Sequence, residues 1–567
     1  MGKKSSQKKQ KKAVEIKTST DAKKTNADVQ AQTALFDNLP QKALAVFLMI
    51  GALITLAFFA IFIWGEFTRP ASIAKFIPQD AAGFIEFDTG LEGKSWQNYY
   101  HLTQGKNFPS ISQLVEKINT ALNIDMMKDV YPWLARRAGI AMLRDKKAAL
   151  FLEIRSEEQA LNFFRQHRLA SITEDLQVSE IEGVKTYHYI ASSPIALAFL
   201  GNYLVVASDD SAIRQIIQAT NGNYAVSLGN KKMDSAGANP LFTNRNFQRI
   251  NNAVPQKNRW GFVFMRPGQL MSMISSLPMP FGEIFTNDFI AEGGSIKALD
   301  TMFVVEHLAL FTKKNNSEKK SDVNRKKYQA TLMEVFSDKT HLFAGGEDIG
   351  RVSDMVDRIS SDTMAYIRSL VKNTFDGEVS LEEIQALLKD EYALAFDDGQ
   401  WKMAIELTNQ AEQEKILKKM IHGIESSRVF FQPTIENDTI KGSAKTMKSS
   451  SITYGNIIIH ATEVDGEPKG VYMAMHEKKA IITLSMDAMR HAINTLNGTT
   501  ASLKNSKSYT TYIEPQLRSA DDVIYARPHD MESMLPTALK FLGGISEISL
   551  ATNSFEDAMK TILFISP

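Results

Sequence analysis

The chain has 567 residues, 44% of them apolar and 23% charged, a balance that fits a globular protein of roughly two to four domains. The net charge of +1 hides an asymmetry: residues 1–42 hold ten Lys, no Arg and four acids, a net +6, which leaves −5 for the rest. A mildly acidic body lacks the clustered cations that phosphate binding needs, so nucleic acid is excluded as a partner. The absence of cysteine excludes disulfides, zinc–thiolate sites, iron–sulfur clusters and thiol catalysis.

In chain order, residues 1–42 read as a basic, disordered cytoplasmic tail with few large apolar side chains before Leu35 and Phe36. Its lysines either set topology or touch anionic headgroups, and the first role suffices. Residues 43–64 (ALAVFLMIGALITLAFFAIFIW) contain no charge. At about 1.5 Å per residue they extend roughly 33 Å, which predicts a transmembrane helix over 43–65 with the lipid bilayer as its partner. The Lys-rich side is then cytoplasmic and the bulk of the chain extracytoplasmic, a single-pass arrangement. A cleaved signal peptide is the alternative, but this apolar run exceeds the usual apolar core of such peptides.

Beyond the anchor, the sequence predicts a lobe over 75–312, a polar Lys-rich loop at 313–327 (KKNNSEKKSDVNRKK) and a second lobe over 328–567 that duplicates the first. Phe76–Gly90 aligns without gaps on Phe336–Gly350. LGNYLVVASDDSAIRQIIQATNG (200–222) resembles HEKKAIITLSMDAMRHAINTLNG (476–498), each a turn, a strand, a Ser/Asp cap, an amphipathic helix and a closing Asn-Gly. Arg266-Pro267 and Arg527-Pro528 follow strands in both copies, and Gly293-Gly294 and Gly543-Gly544 precede the closing strands. A period this long means two copies of a domain rather than a solenoid of short repeats.

Period-two runs predict strands at 84–87, 148–154, 203–207, 260–265, 303–311, 457–461 and 481–484. Amphipathic helices are expected at 111–122, 156–167, 210–219, 351–373, 380–389, 409–425 and 487–496. Strands often come in adjacent pairs, so the expected fold class is α+β: one N-terminal transmembrane helix followed by two related lobes with mainly antiparallel sheets and packed helices.

Several segments carry a family resemblance. Phe76-Ile77-Pro78-Gln79-Asp80-Ala81 resembles an opening LPADT element. Val130-Tyr131-Pro132-Trp133-Leu134 with Gly139-Ile140-Ala141-Met142 resembles a PWLG…VALA element. Leu200–Ser208 followed by Ala212-Ile213 resembles LGGFLVLAS…A, and Asn239-Pro240-Leu241-Phe242 resembles NPEY. Together, over roughly residues 75–565, they resemble the bacterial domain-of-unknown-function family thirty-three fifty-two. Ala135 stands where that family usually has Gly, so this turn departs from its pattern. The resemblance implies a membrane-anchored, exported protein and supplies no catalytic residue.

No motif carries recognisable chemistry. His476-Glu477-Lys478-Lys479-Ala480 lacks the second His that a zinc helix needs. The Ser-x-x-Lys pairs at Ser72–Lys75, Ser317–Lys320 and Ser369–Lys372 lack the accompanying motifs of Ser–Lys hydrolases. Asp209-Asp210 suits a helix cap and Asp397-Asp398-Gly399 a hairpin turn, and neither has calcium-loop spacing. No catalytic residue, metal ligand or cofactor is therefore expected. Three residues remain as candidate contacts for a ligand or partner. Trp133 is either a docking aromatic or a core anchor. Arg266 and Arg527 are either an anion clamp or a repeated structural salt bridge at a strand end. In each case the structural role is the stronger expectation. The sequence favours a non-enzymatic binding or scaffolding protein of the cell envelope with a protein or envelope polymer as partner. The alternative is an envelope hydrolase whose site is assembled only in three dimensions.

Overall fold

The computed structural model describes residues 73–567 except 91–93, 105–114, 118, 121–122, 167–175, 190–194, 228–238, 257–258, 275–288, 313–327, 360, 427–433, 437–438, 442–446, 465–469, 518–519, 535–542 and 556. The basic tail, the expected transmembrane helix at 43–65, the Lys-rich loop at 313–327 and most of the expected helix at 111–122 lie outside the described residues.

Alternating apolar residues build ten strands of the main sheet in each half, and the second half adds a small separate hairpin. The first half contains β1 (Gly83–Asp88), β2 (Leu134–Met142), β3 (Ala148–Ile154), β4 (Leu176–Ile181), β5 (Val184–Tyr189), β6 (Ala196–Leu200), β7 (Tyr203–Ala207), β8 (Gly261–Met265), β9 (Phe289–Ala298) and β10 (Phe303–Phe311). The second contains β11 (Leu342–Glu347), β12 (Glu391–Asp397) and β13 (Gln400–Glu406), then a small hairpin of β14 (Thr434–Glu436) and β15 (Thr439–Lys441). It continues with β16 (Met447–Tyr454), β17 (Ile457–Val464), β18 (Gly470–His476), β19 (Lys479–Thr483), β20 (Asp522–Ala526), β21 (Glu547–Ser554) and β22 (Ala558–Ser566).

Every pairing is antiparallel. In the first half neighbours run β4-β5-β6-β7-β3-β2-β1-β8-β9-β10. In the second they run β16-β17-β18-β19-β13-β12-β11-β20-β21-β22, the same order strand for strand. β10 pairs with β22, Phe303 opposite Ile565 through Leu310 opposite Ala558. This joins the halves tail to tail into one 20-stranded sheet.

The expected fold class is therefore corrected in two ways. Among the described residues no helix is long and apolar enough to cross a membrane, so no transmembrane helix is shown. The two lobes with separate sheets are replaced by one continuous sheet with helices packed on it. The physical reason is that β10 and β22, the last strands of their halves, satisfy each other's edges, which separate sheets would leave unpaired.

Equivalent backbone hydrogen bonds fix the register between the halves. Ala82 N donates to Met142 O at 2.9 Å, and His341 N to Phe396 O at 3.0 Å. Arg266 N donates to Ala82 O and Arg527 N to His341 O, both at 2.7 Å. Residue 82 thus corresponds to 341, a separation of 259. The gapless alignment of Phe76 on Phe336 implies 260. A slip of one residue moves every side chain of a strand to the opposite face, so the backbone register is the meaningful one. The β7 and β19 segments match at the separation read from sequence. Asp209 Oδ1 accepts from Ala212 N at 2.7 Å and Ser485 Oγ from Ala488 N at 3.1 Å, equivalent caps on the helices Asp210–Ser227 and Met486–Leu496.

Each half has its own core on the face covered by those helices. The first gathers Phe76, Phe84, Phe151, Tyr203, Ile213 and Phe247, and the second Phe336, Phe343, Tyr472, Met489, Ile493 and Tyr525. The expected helix at 351–373 divides into Ile349–Ile359 and Ser361–Thr374. Asp398 and Gly399, with φ of 50° and 76°, form the two-residue turn between β12 and β13, where glycine takes the left-handed conformation at no steric cost.

Candidate functional site

The three residues singled out from sequence occupy separate surroundings. Trp133 is buried, its ring centroid 5.5 Å from Phe163 and 6.4 Å from Phe164. Its Nε1–H donates to Asp129 O at 2.7 Å. The indole anchors the cluster that seats the helix Glu157–Gln166 and offers no exposed face.

Arg266 and Arg527 occupy equivalent places just after β8 and β20. The Arg266 guanidinium donates to Gln79 O and lies 5.8 Å from the Phe264 ring, and burial holds its pKa below the usual arginine value. Arg527 lies 5.9 Å from the Tyr525 ring, donates through Nε to Tyr525 Oη at 2.7 Å and through a terminal nitrogen to Ser508 Oγ at 3.1 Å. Glu547 Oε1 stands 3.7 Å from Arg527 Nε and accepts from Tyr525 Oη and Ser508 Oγ. Both guanidinium groups thus have partners within their own half.

Two carboxyls are perturbed, Asp88 at the end of β1 and Asp522 at the start of β20, beside β11. Burial pushes Asp88 up to about 6, against a hydrogen bond from Gly90 and the charges of Arg137 and Arg136. Burial also pushes Asp522 up to about 6, against hydrogen bonds from Tyr392 and Thr552. Beside Asp88, Glu86, Arg137, Arg259 and Trp260 line a pocket of only about 20 Å³, room for a single water. Among the described residues no group of three or more His, Asp or Glu side chains is placed to hold a metal.

The larger concavity lies at the far end of the second half. There the helix Gln410–Ser426 crosses β16, β17 and β18 and leaves a groove of about 450 Å³. Its strand wall presents Ser449, Ser451, His460, Thr462 and Met473, and its helix wall presents Lys418 and Ile421. Two cross-strand contacts order the polar wall: Ser449 Oγ with Thr462 Oγ1 at 3.3 Å, and Ser451 Oγ with His460 Nδ1 at 3.4 Å. These side chains share one face because residues opposite each other on β16 and β17 point the same way. Lys418 is exposed and pairs with Glu414 at 2.7 Å along the helix. β16 ends the series of pairings among the described residues, so this wall is also the rim of the sheet. The volume falls in the range of small-ligand sites, and the lining combines hydroxyl, imidazole and ammonium groups with two apolar side chains. Sequence reading passed over it because Ser449-Ser450-Ser451 reads as a polar run. Its only signal was polar alternation along a strand facing the Lys-bearing helix.

A comparison with curated proteins finds no match. Among solved structures, the chain is similar to "Structure of crystal form IV of TP0453" at 10% identity and a TM-score of 0.24, over 43% of this chain and 81% of that one. It is likewise similar to "Structure of crystal form I of TP0453" at 10% identity and a TM-score of 0.24, over 45% and 83%. At such scores these likenesses carry no argument about fold or function. A family model matches residues 42–427, more than half of the chain, and its reach across β1 to β13 takes in the PWL, LGNYLVVAS and NPLF elements; the chain belongs to the family described as "Protein of unknown function (DUF3352)".

Proposed function

We propose that the protein is a binding or scaffolding component of the cell envelope that holds an anionic, hydroxyl-bearing envelope polymer in the groove between the helix Gln410–Ser426 and β16–β18. The observation that carries this reading is the groove itself, about 450 Å³ with Ser449, Ser451, His460 and Thr462 along one wall and Lys418 on the other. Hydroxyls and imidazole exchange hydrogen bonds with sugar hydroxyls, and an exposed ammonium favours an anion. The envelope setting is what the family resemblance implies, and the net −5 beyond the tail supports the absence of a nucleic-acid partner. The identical strand order of the halves supports an origin of 328–567 as a copy of 75–312.

The test is calorimetric titration of the purified chain with alginate, a soluble anionic polymer rich in hydroxyls. Binding is expected to weaken at least tenfold in both Lys418→Glu and His460→Ala, and to weaken with added salt. Absence of binding by the unsubstituted chain, or affinity in both variants unchanged from that of the unsubstituted chain, overturns the reading.

A further inference from the structure

On the opposite end of the sheet, the hairpin β4–β5 meets the start of the helix Asp210–Ser227, and three side chains there form a relay. Ser179 Oγ lies 2.5 Å from His188 Nε2, and His188 Nδ1 lies 2.9 Å from Asp210 Oδ1. Thr186 Oγ1 is 2.7 Å from Ser179 Oγ and 3.2 Å from His188 Nε2. Thr186 is fully buried, His188 is partly covered, and Ser179 is exposed.

The hairpin register explains the convergence. Ser179 pairs with Thr186 and Gln177 with His188, so Ser179, Thr186 and His188 project from one face. That face is the one the helix crosses, and Asp210 is the first residue of the helix, just after the capping Asp209. The carboxylate beside Nδ1 selects the tautomer with the proton on Nδ1, which leaves Nε2 as an acceptor aimed at the Ser179 hydroxyl. Thr186 then donates to Ser179 Oγ and fixes its rotamer. The arrangement is a nucleophile, a base and a group that orients the base, each within hydrogen-bond reach of the next.

We propose that Ser179 is an acyl-transfer nucleophile, with His188 as its general base and Asp210 as the positioning residue, acting on carboxylic esters exposed on a polymer or protein surface. Ser179 Oγ adds to the ester carbonyl while its proton passes to His188 Nε2. The ester C–O bond breaks, and the departing alcohol takes that proton. Water then adds to the acyl-serine, giving a proton to Nε2. The acid leaves, and Ser179 regains its hydroxyl proton from His188. Asp210 remains a carboxylate throughout, and no redox partner is required. Because Ser179 is exposed on a strand at the end of the pairing series, the substrate class is an accessible ester rather than one that must enter a deep pocket.

This activity is independent of the polymer groove in the second half and is tested separately. The purified chain is incubated with a fluorophosphonate probe and, in a second assay, with p-nitrophenyl acetate. Labelling is expected at Ser179 by peptide mapping, with loss in Ser179→Ala and a fall in ester hydrolysis of about 100-fold or more in Ser179→Ala and His188→Gln. Asp210→Asn is expected to lower kcat with KM unchanged, which a merely structural role would not separate. Far-UV circular dichroism of each variant establishes that it is folded. Where a variant fails to fold, mapping of the probe on the unsubstituted chain decides alone. Labelling at another residue, no labelling, or hydrolysis unchanged in a folded Ser179→Ala chain overturns the proposal.

Discussion

Lys402 Nζ stands 2.6 Å from Asp397 Oδ2, and neither side chain is more than 1% exposed. Ser337 closes the pair from the other side, its Oγ donating to Asp397 Oδ1 at 2.5 Å and its N–H to Oδ2 at 3.1 Å. Lys402 Nζ also reaches His491 Nδ1 at 2.7 Å. In the first half the equivalent positions are Leu143 and Ala149, both in the apolar core. The second half has thus put an ion pair where its counterpart keeps hydrocarbon. A buried ion pair is stable only while complete, since removing one partner strands the other charge at a cost of about 3–5 kcal/mol. Lys402→Ala and Asp397→Leu should each destabilise by that order. The double variant, which restores the first-half residues, should cost clearly less than the sum, with a coupling of at least about 1.5 kcal/mol in urea unfolding. Additive costs would show that the pair does not act as a unit.

The same pair sets a pH dependence on the acid side. Burial raises the Asp397 pKa, but the Lys402 charge and the hydrogen bonds from Lys402 and Ser337 outweigh it and hold the carboxyl below its usual range. A group with a depressed folded pKa contributes stability that is present above its unfolded pKa and lost as pH falls through its folded pKa. Asp88 has the opposite sign, since burial pushes it up to about 6. Its folded form binds a proton that the unfolded chain releases near pH 4. Stability from this group is therefore present below pH 4 and lost as pH rises through 6. Asp88→Asn keeps an acceptor for Gly90 N–H, now 2.8 Å from Asp88 Oδ1, and removes the buried charge. The variant should match the parent at pH 4 and exceed it at pH 7.5 by up to about 2 kcal/mol. Denaturation midpoints that differ equally at both pH values would exclude this origin.

How far the sequence reveals these features depends on how local their causes are. Asp209 as a helix cap and Asp398-Gly399 as a two-residue turn were legible, because a cap and a turn are decided within four residues. The helix expected at 156–167 is Glu157–Gln166, with Ser156 Oγ accepting from Gln159 N. The pairing of β10 with β22 was not legible: Phe303 and Ile565 are far apart in the chain, and nothing in either strand names its neighbour. The register between copies was misjudged by one residue because Phe76 and Phe336 coincide in type while the backbone places Ile77 opposite Phe336. Lys402 reads as a surface residue beside Trp401, yet Trp401 is the exposed one and Lys402 is buried. Ser179, His188 and Asp210 meet only through hairpin register and helix entry, so no linear motif records them. The groove around Ser451 and His460 needs a helix laid across a strand pair, which is likewise a tertiary fact.

Trp133 tests the separation of structure from binding. It packs against both Phe163 and Phe164 and gives its one donor to Asp129 O. Trp133→Ala should destabilise the chain by about 3–5 kcal/mol through cavity formation, and Trp133→Phe by less. Neither should alter alginate affinity in folded protein, because Trp133 lies in the first half and the groove in the second. A folded Trp133→Ala chain that loses binding would restore the docking role.

The two arginines after β8 and β20 give an asymmetric pair of outcomes. Arg527 ties together Tyr525, Ser508 and Glu547, a network partly buried on all sides. Burial lowers its pKa, yet Tyr525 and Glu547 outweigh that and raise it above the usual value. Arg266 donates to the Gln79 carbonyl and stacks near Phe264. Truncating Arg527 leaves Glu547 without its cation, whereas truncating Arg266 removes one donor from a neutral backbone carbonyl and strands no charge on it. Arg527→Ala should therefore cost about 2–3 kcal/mol and Arg266→Ala about 1 kcal/mol in urea unfolding. Arg527→Lys should recover only part of the loss, since an ammonium cannot hold the Tyr525 and Ser508 oxygens in one plane as the guanidinium does. An anion clamp formed by the two would instead show as equal losses of alginate affinity in both alanine variants with stability little changed. The partners each guanidinium already holds make the stability outcome the expected one.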